Sequence, residues 1–65
     1  MTKNIRKGDT VEFRYGEKHL YGEIIKTEYI DEETGEEHYR IACGSEHPVI
    51  YRDIPRCDVF RVFHI

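Results

Sequence analysis

Apolar and polar residues alternate along most of the chain with the period of two that is typical of β-strands. Val11, Phe13 and Tyr15 alternate with charged residues, which predicts a first strand. The run over residues 20–30 is extended as well, and Gly22 inside it indicates a bulge or a sharp bend. No segment has a helical period. The pattern therefore predicts an all-β protein.

The second half of the chain predicts three shorter strands, over residues 38–43, 48–51 and 59–65. The stretch 52–58 is not expected to continue as a strand, because Pro55 removes a backbone donor. Five short strands cannot bury two faces as an open sheet. We therefore predict a single small barrel, in which Ile24, Ile41 and Ile54 form part of the interior.

Length and charge limit what this barrel can do. With 65 residues the chain makes one domain, and we assign residues 1–6 to an N-terminal extension and 7–65 to the fold. The net charge of −3 is unevenly spread, because residues 28–37 hold six acidic residues and no basic one. We expect this segment to be a solvated hairpin tip with Gly35 in its turn. An acidic tip on a mildly basic body weakens the case for nucleic acid without removing it.

The chain has no apolar run near the roughly 20 residues of a membrane span, and its first residues lack the apolar stretch of a secretory signal. We therefore predict a cytoplasmic protein without membrane contact. Its cysteines, Cys43 and Cys57, are then expected to be reduced. No cofactor is predicted.

Three short motifs occur in a specific order: GD at positions 8–9 before VEF, GEI at 22–24, and IPRCDV at 54–59. In this order they resemble the SH3-like small β-barrels, in particular the Tudor/KOW-like group. The resemblance extends over roughly residues 7–62. It implies a five-stranded SH3-like barrel with a bend in the second strand and a three-ten turn before the last.

The resemblance also gives roles to the residues of the last motif. Pro55 suits an early turn position, where its fixed φ is an advantage. Asp58 is expected to cap the backbone donors of the turn. Ile54 and Val59 are expected to point into the barrel. Cys57 is then a turn residue.

Two chemical alternatives can be weighed against this interpretation. Cys57, Asp58 and His64 would make a thiol nucleophile with helpers, but a working thiol needs an oriented imidazole and a shielded pocket. Nothing in the sequence indicates either, so we predict that the protein is not an enzyme. Zinc-compatible residues are present without the paired spacing of a structural site, and we predict no metal site. They are His38, Cys43, His47, Cys57 and His64.

Aromatic recognition is better supported. Tyr15 and Tyr21 flank the first loop, and His47 and Tyr51 flank the loop between the third and fourth strands. The SH3-like resemblance implies that these loops share one rim, where tyrosines form a groove or a cage for a cation or an extended peptide. The predicted binding residues are Tyr15, Tyr21, His47, Tyr51, Arg52, Phe60 and Val62.

The last predicted strand is apolar on both of its alternating sets. Val59, Phe63 and Ile65 make one set, and Phe60 and Val62 make the other. Because a small barrel has one interior, one set should be exposed as an interface. A partner chain, or a second copy in a homodimer through this C-terminal strand, would cover it.

These features predict a small non-catalytic binding module that mediates protein–protein interaction or regulation. The alternative is a KOW/Tudor-like domain that binds DNA or RNA through basic residues near aromatic ones. A pI of 5.7 and nearly balanced charges weigh against it. The basic residues of this alternative are Arg14, Lys18, Arg52, Arg56 and Arg61.

Overall fold

The computed structural model describes residues 5–63, which form five antiparallel strands in one sheet. The strands are β1 (Thr10–Tyr15), β2 (Lys18–Ile30), β3 (Glu37–Cys43), β4 (Val49–Pro55) and β5 (Val59–Phe63). A three-ten turn, Arg56–Asp58, joins β4 to β5. The sheet order is β4-β3-β2-β1-β5. The all-β architecture and the three-ten turn before the last strand are confirmed, and no helix within residues 5–63 is long and apolar enough to cross a membrane.

One face of the sheet supplies the core. Val11 and Phe13 of β1 are fully buried, while Glu12 between them points to the other face, as the strand period requires. Ile24, Ile41 and Ile54 are buried as predicted. Among residues 5–63, the buried core residues are Ile5, Val11, Phe13, Ile24, Tyr39, Ile41, Ile54 and Val59. Ile5 belongs to the segment that we assigned to an N-terminal extension, so burial continues into that segment.

The sheet is not closed into a barrel, because β4 and β5 stand at its two ends. It nevertheless curls. Phe13 on β1 and Tyr51 on β4 have ring centroids 5.6 Å apart, although three strand spacings of about 4.8 Å would separate these strands by about 14 Å in a flat sheet. The three-ten turn lies against β1 and β3 and carries the chain across the opening. This turn, rather than a β4–β5 ladder, bridges the gap that the predicted barrel would have closed.

β4 is longer than predicted. Residues 52–55 remain in the strand, because a register shift between Tyr39 and Ile41 of β3 accommodates the extra length. Opposite this shift, Asp53 has a φ of 59°, a left-handed conformation that aspartate tolerates better than most residues. Pro55 ends the strand, and only the following three residues form the turn.

Gly22 marks the point where β2 passes from one neighbour to the other. It pairs with Val11 of β1, and the next residue, Glu23, already pairs with Ala42 of β3. A Cβ atom at Gly22 would lie 2.6 Å from Ile41 Cγ2 and 2.7 Å from the Ala42 carbonyl oxygen. The glycine therefore permits a close approach of β2 and β3 that no side chain would allow.

Candidate binding surface

The predicted rim is only partly assembled. Tyr15 and Tyr51 meet edge to face, with ring centroids 4.8 Å apart, and Tyr51 also contacts the core ring of Phe13. Tyr21 is not part of this group, because it pairs with Glu12 and lies on the opposite, outer face of the sheet. His47 is exposed in the β3–β4 loop, and no ring contact of His47 is seen in the described part of the chain. Strand alternation thus divides the four predicted residues between separate places.

A larger group of rings lies on the outer face of β2, β1 and β5. His19 lies 5.1 Å from Phe60, and Tyr21 lies 6.3 Å from Phe63, measured between ring centroids. Tyr21 is 59% exposed, Phe60 49% and Phe63 39%. We call this group, together with Arg14 and Arg61, the outer aromatic face. Tyr21 and Phe60 were predicted as binding residues; His19 and Phe63 were missed.

A β-bulge in β5 explains why the two phenylalanines share this face. The pairing with β1 passes from Glu12–Arg61 directly to Phe13–Val59, which leaves Phe60 as the extra residue. Val59 and Val62 consequently both pack against the core. Val62 is therefore half-buried against the core, whereas strict alternation through the bulge would have left it exposed, and its role in binding stays a prediction. His64 and Ile65, which entered our predictions, lie outside the described residues.

The charged side chains on this face are unequally exposed. Arg14 pairs with Asp58 at 3.2 Å, and their side chains are 55% and 25% exposed. Arg61 Nε lies 3.7 Å from Glu12 Oε1, with exposures of 71% and 16%. The same carboxylate also lies 3.9 Å from His19 Nδ1. The guanidinium groups are therefore more accessible to a partner than the carboxylates that pair with them.

The five basic residues of the nucleic-acid alternative do not form one patch. Arg14 and Arg61 lie on the outer aromatic face, and Lys18 is exposed at the start of β2. Arg52 lies 3.6 Å from Glu28 in the other half of the sheet. Arg56 donates a hydrogen bond to the Val59 carbonyl oxygen at 3.0 Å. Nucleic-acid binding stays an untested prediction.

The outer face of β2, β3 and β4 is organised differently, since its polar groups pair with one another. Arg40 donates two hydrogen bonds to Glu28, at 3.1 and 3.0 Å. This bidentate contact, together with the charges of Arg40 and Arg52, holds the pKa of Glu28 below its ordinary value despite partial burial. The arrangement leaves little unpaired charge for a ligand.

Next to this ion pair, Tyr29 stacks on His38 with ring centroids 4.4 Å apart. Nδ1 of His38 is buried and lies 2.9 Å from Asp53 Oδ1, but the two groups are not oriented as a hydrogen bond. Burial raises the pKa of Tyr29, and a hydrogen bond to Asp53 raises it further. Sequence patterns gave no signal for this cluster, because Asp53 reaches it only through the bulge in β4.

The acidic hairpin is part tip and part structural element. Asp31 Oδ1 accepts hydrogen bonds from the backbone of Glu33 and Thr34, which shapes the turn. Glu32 and Glu33 are exposed, as predicted, but Glu36 and Glu37 are half-buried. Treating the whole segment as a solvated tip was therefore wrong.

Glu36 and Glu37 have structural contacts. Glu37 Oε1 accepts a hydrogen bond from the buried Tyr39 hydroxyl at 3.0 Å, and burial followed by this contact raises the pKa of Tyr39 to about 12. Glu36 Oε2 accepts a hydrogen bond from the Cys57 backbone N–H at 3.1 Å. The three-ten turn is thus tied to Glu36. Asp58 makes no side-chain cap there, contrary to our prediction, because its carboxylate pairs with Arg14.

Glu36 also affects the thiol of Cys57. A side-chain hydrogen bond to this carboxylate is the main cause that raises the pKa of Cys57 above its ordinary value. A raised pKa reduces the thiolate fraction at neutral pH and hence the reactivity.

Over residues 5–63, no group of three or more His, Cys, Asp or Glu side chains is arranged to hold a metal ion. Comparison of the chain with family models, with curated proteins and with solved structures finds no match.

Proposed function

We propose that the protein is a small non-catalytic binding module that binds a protein segment on its outer aromatic face. The observation that carries this proposal is the placement of four accessible rings, His19, Tyr21, Phe60 and Phe63, on one face of three adjacent strands. Two pairs of exposed rings on one face are an exposed apolar surface of the kind that commonly marks an interaction site. Aromatic side chains also contribute much of the binding energy at interfaces.

We also propose that the curled sheet is an open relative of the SH3-like, Tudor/KOW-like barrels. The positions of the three motifs in the fold support this proposal. Gly8 lies in the turn before β1, Gly22 lies within β2, and the 54–59 motif contains the three-ten turn. Both cysteines are free, which fits the cytoplasmic location that we propose.

The Tyr15–Tyr51 pair is the weaker candidate site. It offers two rings, and Tyr51 already packs against Phe13 and the core. The outer aromatic face offers rings that contact mainly one another, with accessible guanidinium groups beside them. A ligand can therefore bury more new surface there.

Selection from a displayed library of random peptides, each about twelve residues long, tests the proposed function. Peptides selected on the wild-type protein should lose at least about tenfold in affinity, roughly 1.4 kcal/mol, for Phe60→Ser. Ile50→Ser is the matched control, because Ile50 is an exposed apolar residue on the outer side of β4. Amide chemical shifts should move in β5 and β1 when a selected peptide is added.

Three outcomes would contradict the proposal: selection of no peptide, selected peptides that bind Phe60→Ser as well as wild type, or shifts confined to Tyr15 and Tyr51. Single-stranded DNA and RNA oligonucleotides are tested in parallel. Tight binding of an oligonucleotide that weakens steeply with salt, without any peptide ligand, would favour the nucleic-acid alternative.

A further inference from the structure

The free edge of β5 adjoins the outer aromatic face. Within residues 5–63, β5 pairs with β1 on one side and with no strand on the other. Every second residue of such an edge directs its backbone N–H and C=O away from the sheet. These groups can pair with an added strand, and natural proteins usually protect edges against that event.

The protection of this edge is incomplete. The bulge at Phe60 disturbs the strand at one end, but Arg61, Val62 and Phe63 follow in regular register with β1. The aromatic rings of Phe60 and Phe63 flank Arg61 on the outer face. A strand laid along this edge would contact both rings while it pairs with the backbone.

The positive charge of Arg61 at this edge favours some added strands over others. A second copy that added its own β5 across a two-fold axis centred on Arg61 would set two guanidinium groups opposite each other, which is destabilising. Arg61 is 71% exposed and its carboxylate partner Glu12 only 16%. An added strand therefore meets positive charge, and an acidic side chain is favoured in the position opposite.

We propose that the ligand of the outer aromatic face is an extended peptide in which acidic and apolar side chains alternate, and that it adds to β5 as a sixth strand. This inference rests on the proposed function. Backbone pairing with the edge supplies affinity, and alternate side chains supply specificity by contacting Arg61 and the flanking rings.

The composition of selected peptides gives the first test. Peptides that depend on Phe60 should be enriched in Asp or Glu at alternate positions. Arg61→Glu should weaken the best of them by at least about tenfold. Arg61→Ala should weaken it less, and Lys26→Glu, which reverses an exposed charge on β2, should have no effect.

N-methylation of the best peptide tests strand addition separately from charge. Methyl groups on one set of alternate amides should abolish binding, because they remove the donors that face β5, whereas methyl groups on the other set should be tolerated. Equal tolerance of both sets would overturn strand addition. Selection of basic or proline-rich peptides that still depend on Phe60 would overturn this inference and leave the proposed function intact. Peptides that do not depend on Phe60 would overturn both.

Discussion

The two halves of the sheet's outer face differ in how tightly their charged side chains are paired. On the half formed by β2, β3 and β4, Arg40 binds Glu28 through two hydrogen bonds, and Tyr29 stacks on His38. On the half formed by β2, β1 and β5, arginines pair more loosely with carboxylates that are less exposed than they are, and aromatic rings remain accessible.

The difference distinguishes the half that stabilises the fold through paired polar groups from the half that we propose as the binding surface. Polar groups that satisfy one another in fixed geometry stabilise the fold and offer a ligand little new interaction energy. Exposed rings beside accessible guanidinium groups contribute little to folding and can bury more surface in a complex. Both halves share one core, so variants can test each face separately.

The largest effect on stability is expected in the core, which lies under both halves of the sheet. Ile54→Ala should reduce the free energy of unfolding by about 2–5 kcal/mol, because it removes buried side-chain volume at the end of β4. Ile50→Ala, on the same strand but half-exposed, should cost far less. Urea denaturation of both variants measures the difference. Similar midpoints would show that β4 does not pack as described.

The next effect concerns Tyr39, a buried residue of β3. Its pKa is raised to about 12 in the fold, against about 10 in an unfolded chain. The folded state therefore retains a proton that the unfolded state loses, and stability is full below pH 10 and falls as the pH rises towards 12. The fall attributable to this group is on the order of 2–3 kcal/mol at most.

Chemical denaturation at several alkaline pH values measures this slope. Tyr39→Phe should flatten it, although the variant also loses the hydrogen bond to Glu37. Glu37→Gln is the companion variant, because it keeps an acceptor and removes the charge that helps to raise the pKa. An alkaline slope that is identical in all three proteins would rule out this role of Tyr39.

A smaller effect distinguishes the two parts of the acidic hairpin. Glu36→Ala should cost about 1 kcal/mol, because the backbone N–H of Cys57 loses its acceptor. Glu32→Ala, at the exposed tip, should be close to neutral. Alkylation of Cys57, followed by peptide mapping, gives a second readout. It should be faster in Glu36→Ala, since the carboxylate that raises the thiol pKa is gone.

Sequence periodicity was sufficient for most of the fold. The alternation of Val11 and Phe13 with charged residues identified the buried face of β1, and Ile24, Ile41 and Ile54 lie in the core as predicted. These features depend on local backbone geometry, which the sequence records directly. The prediction that the sheet closes into a barrel was wrong, because β4 and β5 do not pair with each other. Pairing between strands that are far apart in the sheet is not encoded in any local sequence pattern.

The candidate surface was predicted less well, for a related reason. A bulge shifts every following side chain by one position, so Phe63 joined Phe60 on the outer face and Val62 turned inwards. The bulge at Asp53 likewise produced a cluster that the sequence did not indicate. Bulges arise from pairing between distant strands, and a single strand's pattern does not reveal them.

The smallest effect on stability is expected on the outer aromatic face. This prediction tests most directly whether the two halves of the outer face differ in their contribution to the fold. Phe60→Ser and Arg61→Ala should each change the free energy of unfolding by less than about 0.5 kcal/mol, because the ring is half-exposed and the ion pair with Glu12 is loose. Thermal and urea unfolding measure this directly. Arg40→Ala is the reference from the paired half, and it should cost more because it breaks two hydrogen bonds to Glu28. If Phe60→Ser destabilises the protein as much as Arg40→Ala does, the rings of the outer aromatic face stabilise the fold. The proposal that they are available to bind a ligand would then be contradicted.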